Sequence, residues 1–375
     1  MLFRDVVGQD AAKRGLLQAY HSDKLPHAVL LLGPEGSGGL SLALAMAQYL
    51  FCESPTESDS CGVCPGCRKA SQLEHPDLHL SFPSLKIEKT AALSRNYLTG
   101  FRKFFHEQPY GTTYDWLQAL GAENKQGNLT AEECREIIES LTLKSYEGGR
   151  KVLVLWRPEY LEKEGNILLK IIEEPPAGTV MFFVAEEAED ILPTLLSRMQ
   201  TVRLPPLSVE EIAQGLLAQD ITDDNRAAQI AALAAGGSYA EALRLVQGGG
   251  EDLFSIFRNW FNAIFKNQGP QLTKFADDAA KGGRESIKAF LQYAIHLLES
   301  ALRSRYAPGM PAGLPPEEAN FVQRLAAQPA SDYETLTAMA KAIADAQYKV
   351  ERNAHAKITL HALGIELSRM ARAAK

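Results

Sequence analysis

"AVLLLGPEGSGGLSLA", residues 28–43, joins an apolar run to an alanine- and leucine-rich run through a glycine-rich turn. A buried strand that ends at such a turn and continues as a helix is typical of the phosphate-binding loop, whose pattern is G-x-x-x-x-G-K-[ST]. Gly39 stands at the lysine position of that pattern and Leu40 at the Ser/Thr position. The stretch therefore predicts the fold of a phosphate loop without the side chains that grip a nucleotide. The residues of this degenerate loop are Gly33, Gly36, Gly38, Gly39 and Leu40.

The charge around the loop is also unfavourable for a nucleotide. No lysine or arginine occurs between Leu25 and Cys67, so no shift of register supplies the missing cation. A polyphosphate would face the carboxylate of Glu35 with only backbone N–H groups as donors. We therefore expect the chain to bind neither ATP nor magnesium.

Short apolar runs alternate with helical patterns as far as residue 207. Buried strands separated by helices are typical of a parallel sheet with helices on both faces, so residues 1–207 predict an α/β domain. Residues 84–130 are rich in aromatic residues without a clean period, and we interpret them as an inserted helical excursion. It ends where Thr130 is predicted to cap a helix, with Glu133 three residues on. The predicted strands lie at residues 28–33, 77–82, 151–156, 179–185 and 199–204.

The strand patterns stop after residue 207. Residues 208–247 have helical periodicity and predict a small helical lid domain. Three consecutive glycines, Gly248–Gly250, predict a linker. Residues 251–375 again show only helical periodicity and predict an all-helical third domain.

Four of the five cysteines fall within residues 52–67. Two C-x-x-C steps with glycine and proline between them place thiolates around tight turns, as structural zinc sites do. Four thiolates would close the tetrahedral coordination sphere and leave no position for water, so we predict a structural zinc and not a catalytic one. The predicted ligands are Cys52, Cys61, Cys64 and Cys67.

Two alternatives to this zinc site stay open. His75 or His79 could replace one thiolate as a ligand, although such a histidine is more often a surface or packing residue. The cysteines could also form a redox pair or disulfides, which a single cysteine-rich loop in an otherwise intracellular sequence makes a poor choice. Cys134 falls in a helical pattern and is predicted to be a packing or surface thiol.

The composition indicates a globular protein of two or three domains. The chain has 375 residues, 46% of them hydrophobic, and a formal net charge of −7. An acidic chain with interspersed charges lacks the broad basic surface that autonomous nucleic-acid binding needs. Apolar runs such as residues 28–32 and 180–185 are far shorter than the roughly 20 residues of a membrane helix. Because the first residues do not resemble a secretory signal, a cytoplasmic location is expected.

Several motifs together resemble the clamp-loader branch of the AAA+ proteins, and within it the non-ATPase, delta-prime type of bacterial DNA polymerase III. "FRDVVGQD" is similar to the adenine-side box of that family, and the quoted loop to its first loop. The resemblance runs through the whole chain and implies an AAA+ module with an inserted zinc module, a lid, and a helical collar that holds subunits together. The stretches that carry it are residues 3–10, 25–38, 144–156, 166–186, 192–208 and 350–370.

Other positions that AAA+ ATPases use are changed in this chain. Trp156 and Arg157 stand where the resemblance places an acidic pair that anchors magnesium. Ala185 and Glu186 stand at the position of a polar sensor, and Ala240 at that of a sensing arginine. Because these losses agree with those in the loop, the resemblance implies a member that does not hydrolyse ATP.

One functional position of the family is kept. Ser197 and Arg198 match the first two residues of its Ser-Arg-Cys motif, with Met199 in place of the cysteine. In the family this arginine reaches a neighbouring subunit's ATP, so the resemblance implies that Arg198 is an arginine finger in trans. The alternative is an ordinary solvated arginine ahead of an edge strand. Glu173 and Glu174, in "EEPP", are interpreted as structural.

The resemblance also implies partners. They are the ATPase and clamp-opening subunits of a hetero-oligomeric loader, the sliding clamp, and primer-template DNA reached through the complex, with no membrane. Two other functions stay open: an active AAA+ ATPase, either a motor loader subunit or a branch-migration helicase, and a zinc-bearing nucleic-acid-binding module. The missing lysine of the loop counts against an active ATPase, and the negative net charge counts against a nucleic-acid-binding module.

Overall fold

The chain forms two compact units in the computed structural model. The first consists of Met1–Gly215 with Gly237–Ala240, and the second of Leu216–Gly236 with Glu241–Lys375. The predicted boundaries at residues 207 and 251 stay predictions. The predicted glycine linker and parts of the 84–130 insertion lie outside the described residues. The structure describes residues 1–86, 92–121, 127–147, 149–247, 253–281, 283–307, 314, 316–328, 332–351 and 354–373.

A five-stranded parallel sheet forms the centre of the first unit. Its strands lie in the order β2-β3-β4-β1-β5, and every neighbouring pair is parallel. Each strand coincides with one of the five predicted apolar runs, so the predicted fold class is confirmed. Because the strands are parallel, the loops that follow β1, β3 and β4 meet at one edge of the sheet. The strands are β1 (Ala28–Leu32), β2 (Leu78–Ser81), β3 (Lys151–Trp156), β4 (Thr179–Ala185) and β5 (Gln200–Arg203).

Alternate side chains of these strands enter two separate cores. Val29 and Leu31 of β1 belong to one core, and Leu30 and Leu32 to the other. The alternation follows from the two-residue repeat of a strand, which points successive side chains to opposite faces. All five residues of β1 are buried, which agrees with a central strand covered on both faces.

Helices cover both faces of the sheet. Short 3-10 segments lie at Phe3–Asp5, Ser94–Tyr97, Pro158–Leu168 and Ala188–Asp190. The α-helices are α1 (Asp10–His21), α2 (Gly39–Leu50), α3 (Pro65–Ser71), α4 (Leu98–Glu107), α5 (Thr113–Ala119), α6 (Ala131–Thr142), α7 (Leu169–Glu173), α8 (Pro193–Leu196) and α9 (Val209–Ala218), whose last residues enter the second unit.

The inserted segment contains helices α4 and α5 and packs on the same face of the sheet as α2. The ring of Phe101 stacks on that of Phe82 with 3.9 Å between centroids. Trp116 is fully buried, and its indole N–H donates to the carbonyl oxygen of Pro83 at 2.7 Å. Helices α4 and α5 lie within the predicted excursion, whose bounds stay a prediction. The predicted cap of α6 is confirmed, since the side chain of Thr130 accepts from the N–H of Glu133 at 3.2 Å.

The second unit is helical throughout its described residues. Aromatic residues of α12, among them Phe257, Trp260 and Phe261, are buried in its core. None of the helices in the described part of the chain has the length and apolarity needed to cross a bilayer. The helices are α10 (Asn225–Ala234), α11 (Tyr239–Gln247), whose first two residues belong to the first unit, α12 (Leu253–Phe265), α13 (Gly269–Lys281), α14 (Gly283–Tyr306), α15 (Pro316–Ala326), α16 (Tyr333–Glu351) and α17 (Ala356–Ala373).

Candidate functional site

The glycine-rich loop connects β1 to α2 at the carboxyl edge of the sheet. Gly36 and Gly38 have φ angles of 77° and 91°, in the left-handed region where glycine is favoured. A Cβ atom at Gly33 would lie 2.3 Å from the carbonyl oxygen of Leu204. These three glycines are therefore required by the turn itself, whether or not a phosphate is bound.

The two positions that would contact a nucleotide face the apolar core. A Cβ atom at Gly39 would lie 2.9 Å from Cγ1 of Val184, a contact that requires one of the two to shift. Leu40 is buried in the core beneath the sheet face that α2 covers. The loop thus lacks the lysine and the hydroxyl, and a side chain at position 39 would have to displace Val184.

The inserted segment covers the loop from the other side. The hydroxyl of Ser41 donates to the carbonyl oxygen of Pro109 at 2.6 Å, and the N–H of Thr113 donates to the carboxylate of Glu35 at 3.2 Å. The cavity that remains between loop and insertion has a volume of about 40 Å³. A cavity of this volume holds only a few water molecules.

Arg157 stands at the end of β3, beside this cavity, with a φ angle of 65°. Its guanidinium forms an ion pair with Glu186, and its Nε atom lies 3.7 Å from Oε2 of Glu159. The carboxylate of Glu159 also accepts from the N–H of Glu186 at 2.7 Å, and burial raises the pKa of Glu159. A cation of the chain itself therefore lies at the position where the resemblance to AAA+ ATPases predicts magnesium-binding carboxylates.

The changed positions predicted from the sequence meet at this site. Trp156, Arg157, Ala185 and Glu186 line the cavity together with the loop. Ala240 lies beside the loop, since a Cβ atom added at Gly36 would be 3.1 Å from the Cβ atom of Ala240. The sequence analysis did not predict that the insertion lines this cavity. The one available signal was the high aromatic content of residues 84–130, which has no regular period.

The four predicted zinc ligands form one cluster. Their Sγ atoms all lie within 4.8 Å of one another, and those of Cys61 and Cys67 are 3.8 Å apart. Four thiolates at about 2.3 Å from a tetrahedral zinc ion are separated from one another by about 3.8 Å. The donor set and its spacing therefore fit a metal such as zinc. The cluster consists of Cys52, Cys61, Cys64 and Cys67.

Backbone N–H groups point at the sulfur atoms of this cluster. The N–H of Cys61 donates to Sγ of Cys52 at 3.2 Å, and that of Cys67 to Sγ of Cys64 at 3.3 Å. Hydrogen bonds from the N–H groups of Val63 and Cys64 lower the pKa of Cys61 to about 6, whereas burial raises the pKa of Cys52 and Cys67. Such donors stabilise the thiolate form that a metal requires.

The alternatives to a cysteine-only site receive no support within the described residues. The metal-capable group there contains no histidine, and all five cysteines are free thiols. His75 stacks on Phe51 with 3.7 Å between ring centroids, and its Nε2 atom lies 3.2 Å from Glu147. Cys134 is buried in α6 away from the cluster, as predicted for a packing thiol, and burial raises its pKa to about 12.

Arg198 lies just after α8 and is bound to its own chain. Its Nε and Nη2 atoms both contact the carboxylate of Glu173, and Nη1 donates to the carbonyl oxygen of Thr194 at 2.8 Å. The hydroxyl of Ser197 lies 3.2 Å from Nη1 and donates to the same carbonyl. Met199 is buried behind this group. Glu173, interpreted as structural, thus holds the predicted finger.

A sequence profile of the family described as "DNA polymerase III, delta subunit" matches residues 8–208, which is more than half of the chain. The chain belongs to this family. The matched range includes the glycine-rich loop, the cysteine cluster and Arg198. The resemblance predicted from the motifs is therefore confirmed.

Known proteins of this DNA polymerase III system are similar to the chain over part of their length. It is 29% identical over 234 residues to DNA polymerase III subunit delta' of Escherichia coli, which covers 62% of this chain and 58% of that one. It is 27% identical over 248 residues to DNA polymerase III subunit tau of Salmonella typhimurium, a match that covers 65% of this chain and 32% of tau. The matches thus span little more than half of the delta' relative and about a third of tau.

Among solved structures, the chain is similar to a gamma subunit-related DNA polymerase III protein of Thermotoga maritima. The sequence identity is 14% and the TM-score 0.41, over 95% of this chain and 100% of the other.

Proposed function

We propose that this chain is a delta-prime-like, non-hydrolysing subunit of a bacterial clamp loader. Membership of the DNA polymerase III family supports a place in that assembly. The observation that carries the finer proposal is the filled and neutralised nucleotide position at the carboxyl edge of the sheet. The partners would be the ATPase and clamp-opening subunits, the sliding clamp, and primer-template DNA reached through the complex, in the cytoplasm.

Four features of that edge argue against ATP hydrolysis by this chain. Phosphoryl transfer needs a lysine at the phosphates, a hydroxyl and an acidic group on magnesium, and a site that admits the triphosphate. Here the first two positions are Gly39 and Leu40, and Arg157 is paired with Glu186 at the third. The cavity of about 40 Å³ is also small beside the roughly 300–1,000 Å³ of ligand pockets. An active ATPase would need all of them to change.

The role proposed for Arg198 is that of an arginine finger which acts on the ATP of a neighbouring subunit. A planar guanidinium can stabilise charge on a transferring phosphoryl group, and such fingers contribute about 10³ to 10⁵ in rate. Arg198 is about one-third exposed, and its partners hold its position on a short loop between α8 and β5. A side chain with this exposure can meet another subunit.

The role proposed for the cysteine cluster is a structural zinc site. Four thiolate ligands would complete the coordination of zinc, and a bound zinc would supply a cross-link between α2 and α3 and no catalysis. Cys52 follows α2 and Cys67 lies in α3, so the cluster already joins these elements.

Reconstitution of the loader tests the finger. Arg198→Ala should leave assembly and zinc content unchanged and lower ATP turnover and clamp loading by the complex. The fall should be smaller than the full range for fingers, because only one of several ATP sites would face this chain. Arg198→Lys should restore little, since an ammonium cannot reproduce the planar fork.

Arg203→Ala is the matched control, because Arg203 is an exposed arginine at the end of β5. It should load clamps at the wild-type rate. If Arg198→Ala complexes also assemble and load at that rate, the finger assignment is wrong.

A further inference from the structure

We propose that residues 109–113 of the inserted segment are an internal ligand of the glycine-rich loop and occupy the room that a nucleotide would need. This inference does not depend on the role of Arg198. It rests on separate contacts that join this short segment to the loop, to the start of α2 and to the N-terminal segment.

The two ends of the segment are bound to the loop region by hydrogen bonds. The carbonyl oxygen of Pro109 accepts from the hydroxyl of Ser41 in the first turn of α2, at 2.6 Å. The N–H of Thr113 donates to the carboxylate of Glu35 within the loop, at 3.2 Å. Glu35 lines the cavity beside the turn, and Ser41 is fully buried at the start of α2. The segment therefore uses polar groups of the loop region as a bound molecule would.

The middle of the segment places an aromatic ring over the turn. Tyr110 is only 5% exposed, and a Cβ atom at Gly38 would lie 3.0 Å from its Cε1 atom. Its hydroxyl accepts from the N–H of Val7 at 2.6 Å. Its ring packs edge-on against that of Tyr239, with 4.6 Å between the ring centroids. A planar ring, with one polar atom held by a backbone donor, thus fills a slot beside the loop.

The segment is held in this conformation by its own helix. Thr112 caps α5, since its side chain accepts from the N–H of Asp115 at 3.1 Å, and the Asp115 carboxylate accepts from the N–H of Thr112 at 2.8 Å. The first turn of α5 also contains the fully buried Trp116. A ligand that belongs to the same chain and is preorganised loses little freedom on docking, so it has an advantage over a free molecule.

Hydrogen exchange of the full chain tests this inference with Tyr110→Ala and Tyr97→Ala. Tyr97 is the matched control, because it is a half-buried tyrosine of the same insertion whose hydroxyl donates to Leu85 and which does not line the cavity. We expect Tyr110→Ala to raise exchange at Val7 and at residues 35–41 by about tenfold, the effect of losing a hydrogen bond. Tyr97→Ala should leave these amides unchanged.

A chemical rescue follows from the same slot. 4-Methylphenol, the side chain of tyrosine as a free molecule, should lower the exchange of Tyr110→Ala toward the wild-type level and raise its melting temperature. It should do neither to Tyr97→Ala. Equal exchange of the loop in the two variants, or no response of Tyr110→Ala to 4-methylphenol, would overturn the proposal.

If Tyr110→Ala does not fold, hydrogen exchange of Tyr110→Phe tests the proposal instead. This variant keeps the ring and loses only the acceptor of Val7, so exchange should rise at Val7 while residues 35–41 stay protected. Unchanged exchange at Val7 would show that the ring does not hold the N-terminal segment, and would contradict the internal ligand.

Discussion

Two arginines of this chain are paired with glutamates in different surroundings. The side chain of Arg157 is 14% exposed and that of its partner Glu186 is 26% exposed. The pair of Arg198 and Glu173 is more open, at 33% and 47%. Since solvent screens exposed charges, the first pair should matter more for folding than the second.

Charge-neutralising variants measure this difference. Glu186→Gln should lower the free energy of unfolding by about 1–3 kcal/mol, because it leaves the largely buried Arg157 short of a partner. Glu173→Gln should lower it by less than about 1 kcal/mol. Urea unfolding at neutral pH gives both values. Equal losses would mean that burial does not distinguish the pairs.

A buried histidine predicts a pH dependence in the second unit. Burial, with repulsion from Arg303 as a smaller cause, lowers the pKa of His296 to about 4. In the unfolded chain a histidine titrates near 6.5, so between about pH 6.5 and 4 only the unfolded state gains this proton. The contribution of His296 to stability is therefore complete above this window and is lost as the pH falls through it.

His296→Gln should remove this part of the pH dependence. The loss of unfolding free energy between pH 7 and pH 5 should be smaller in the variant than in the wild-type chain. Urea titrations at the two pH values measure the difference, in which the carboxylates common to both proteins cancel. An identical loss in both proteins would contradict the assignment.

At the scale of elements, the cysteine cluster joins α2 to α3. We expect one zinc per chain, and we expect Cys64→Ser to lower the zinc content and the melting temperature because it removes one of four ligands. Cys134→Ala is the control, since Cys134 is buried in α6 outside the cluster. Elemental analysis should find full zinc in the control. A stable wild-type chain without metal would contradict the site.

The sequence predicted the elements of the sheet better than the packing around it. Strands such as β3 and β4 coincide with their apolar runs because strands buried on both faces need continuous apolar sequence. The cap at Thr130 followed from local hydrogen bonding, and the cysteine spacing from coordination geometry. The loss of the lysine and the hydroxyl from the loop could likewise be read directly from the sequence, at Gly39 and Leu40.

The docking of the insertion could not be predicted in the same way. Tyr110 meets Val7 across 103 positions of the chain, and no local pattern encodes such a contact. The pairing of Arg157 with Glu186 also depends on the order of strands in the sheet. Both are properties of tertiary packing, which overrides local sequence signals.

For the whole molecule, the filled loop predicts no response to nucleotide. Calorimetry of the isolated chain with magnesium and ATP should detect no binding at micromolar concentrations, because Gly39 and Leu40 replace the lysine and the hydroxyl and the remaining cavity is small. Saturable binding in the low micromolar range would contradict this expectation and would favour an active ATPase.

The closure of the inserted segment over the glycine-rich turn has a consequence for the cell. If the segment occupies the turn as proposed, the conformation of this chain should not follow the ratio of ATP to ADP. Compounds that imitate ATP should likewise not bind to this chain, because a segment of the same chain has the advantage over a free molecule.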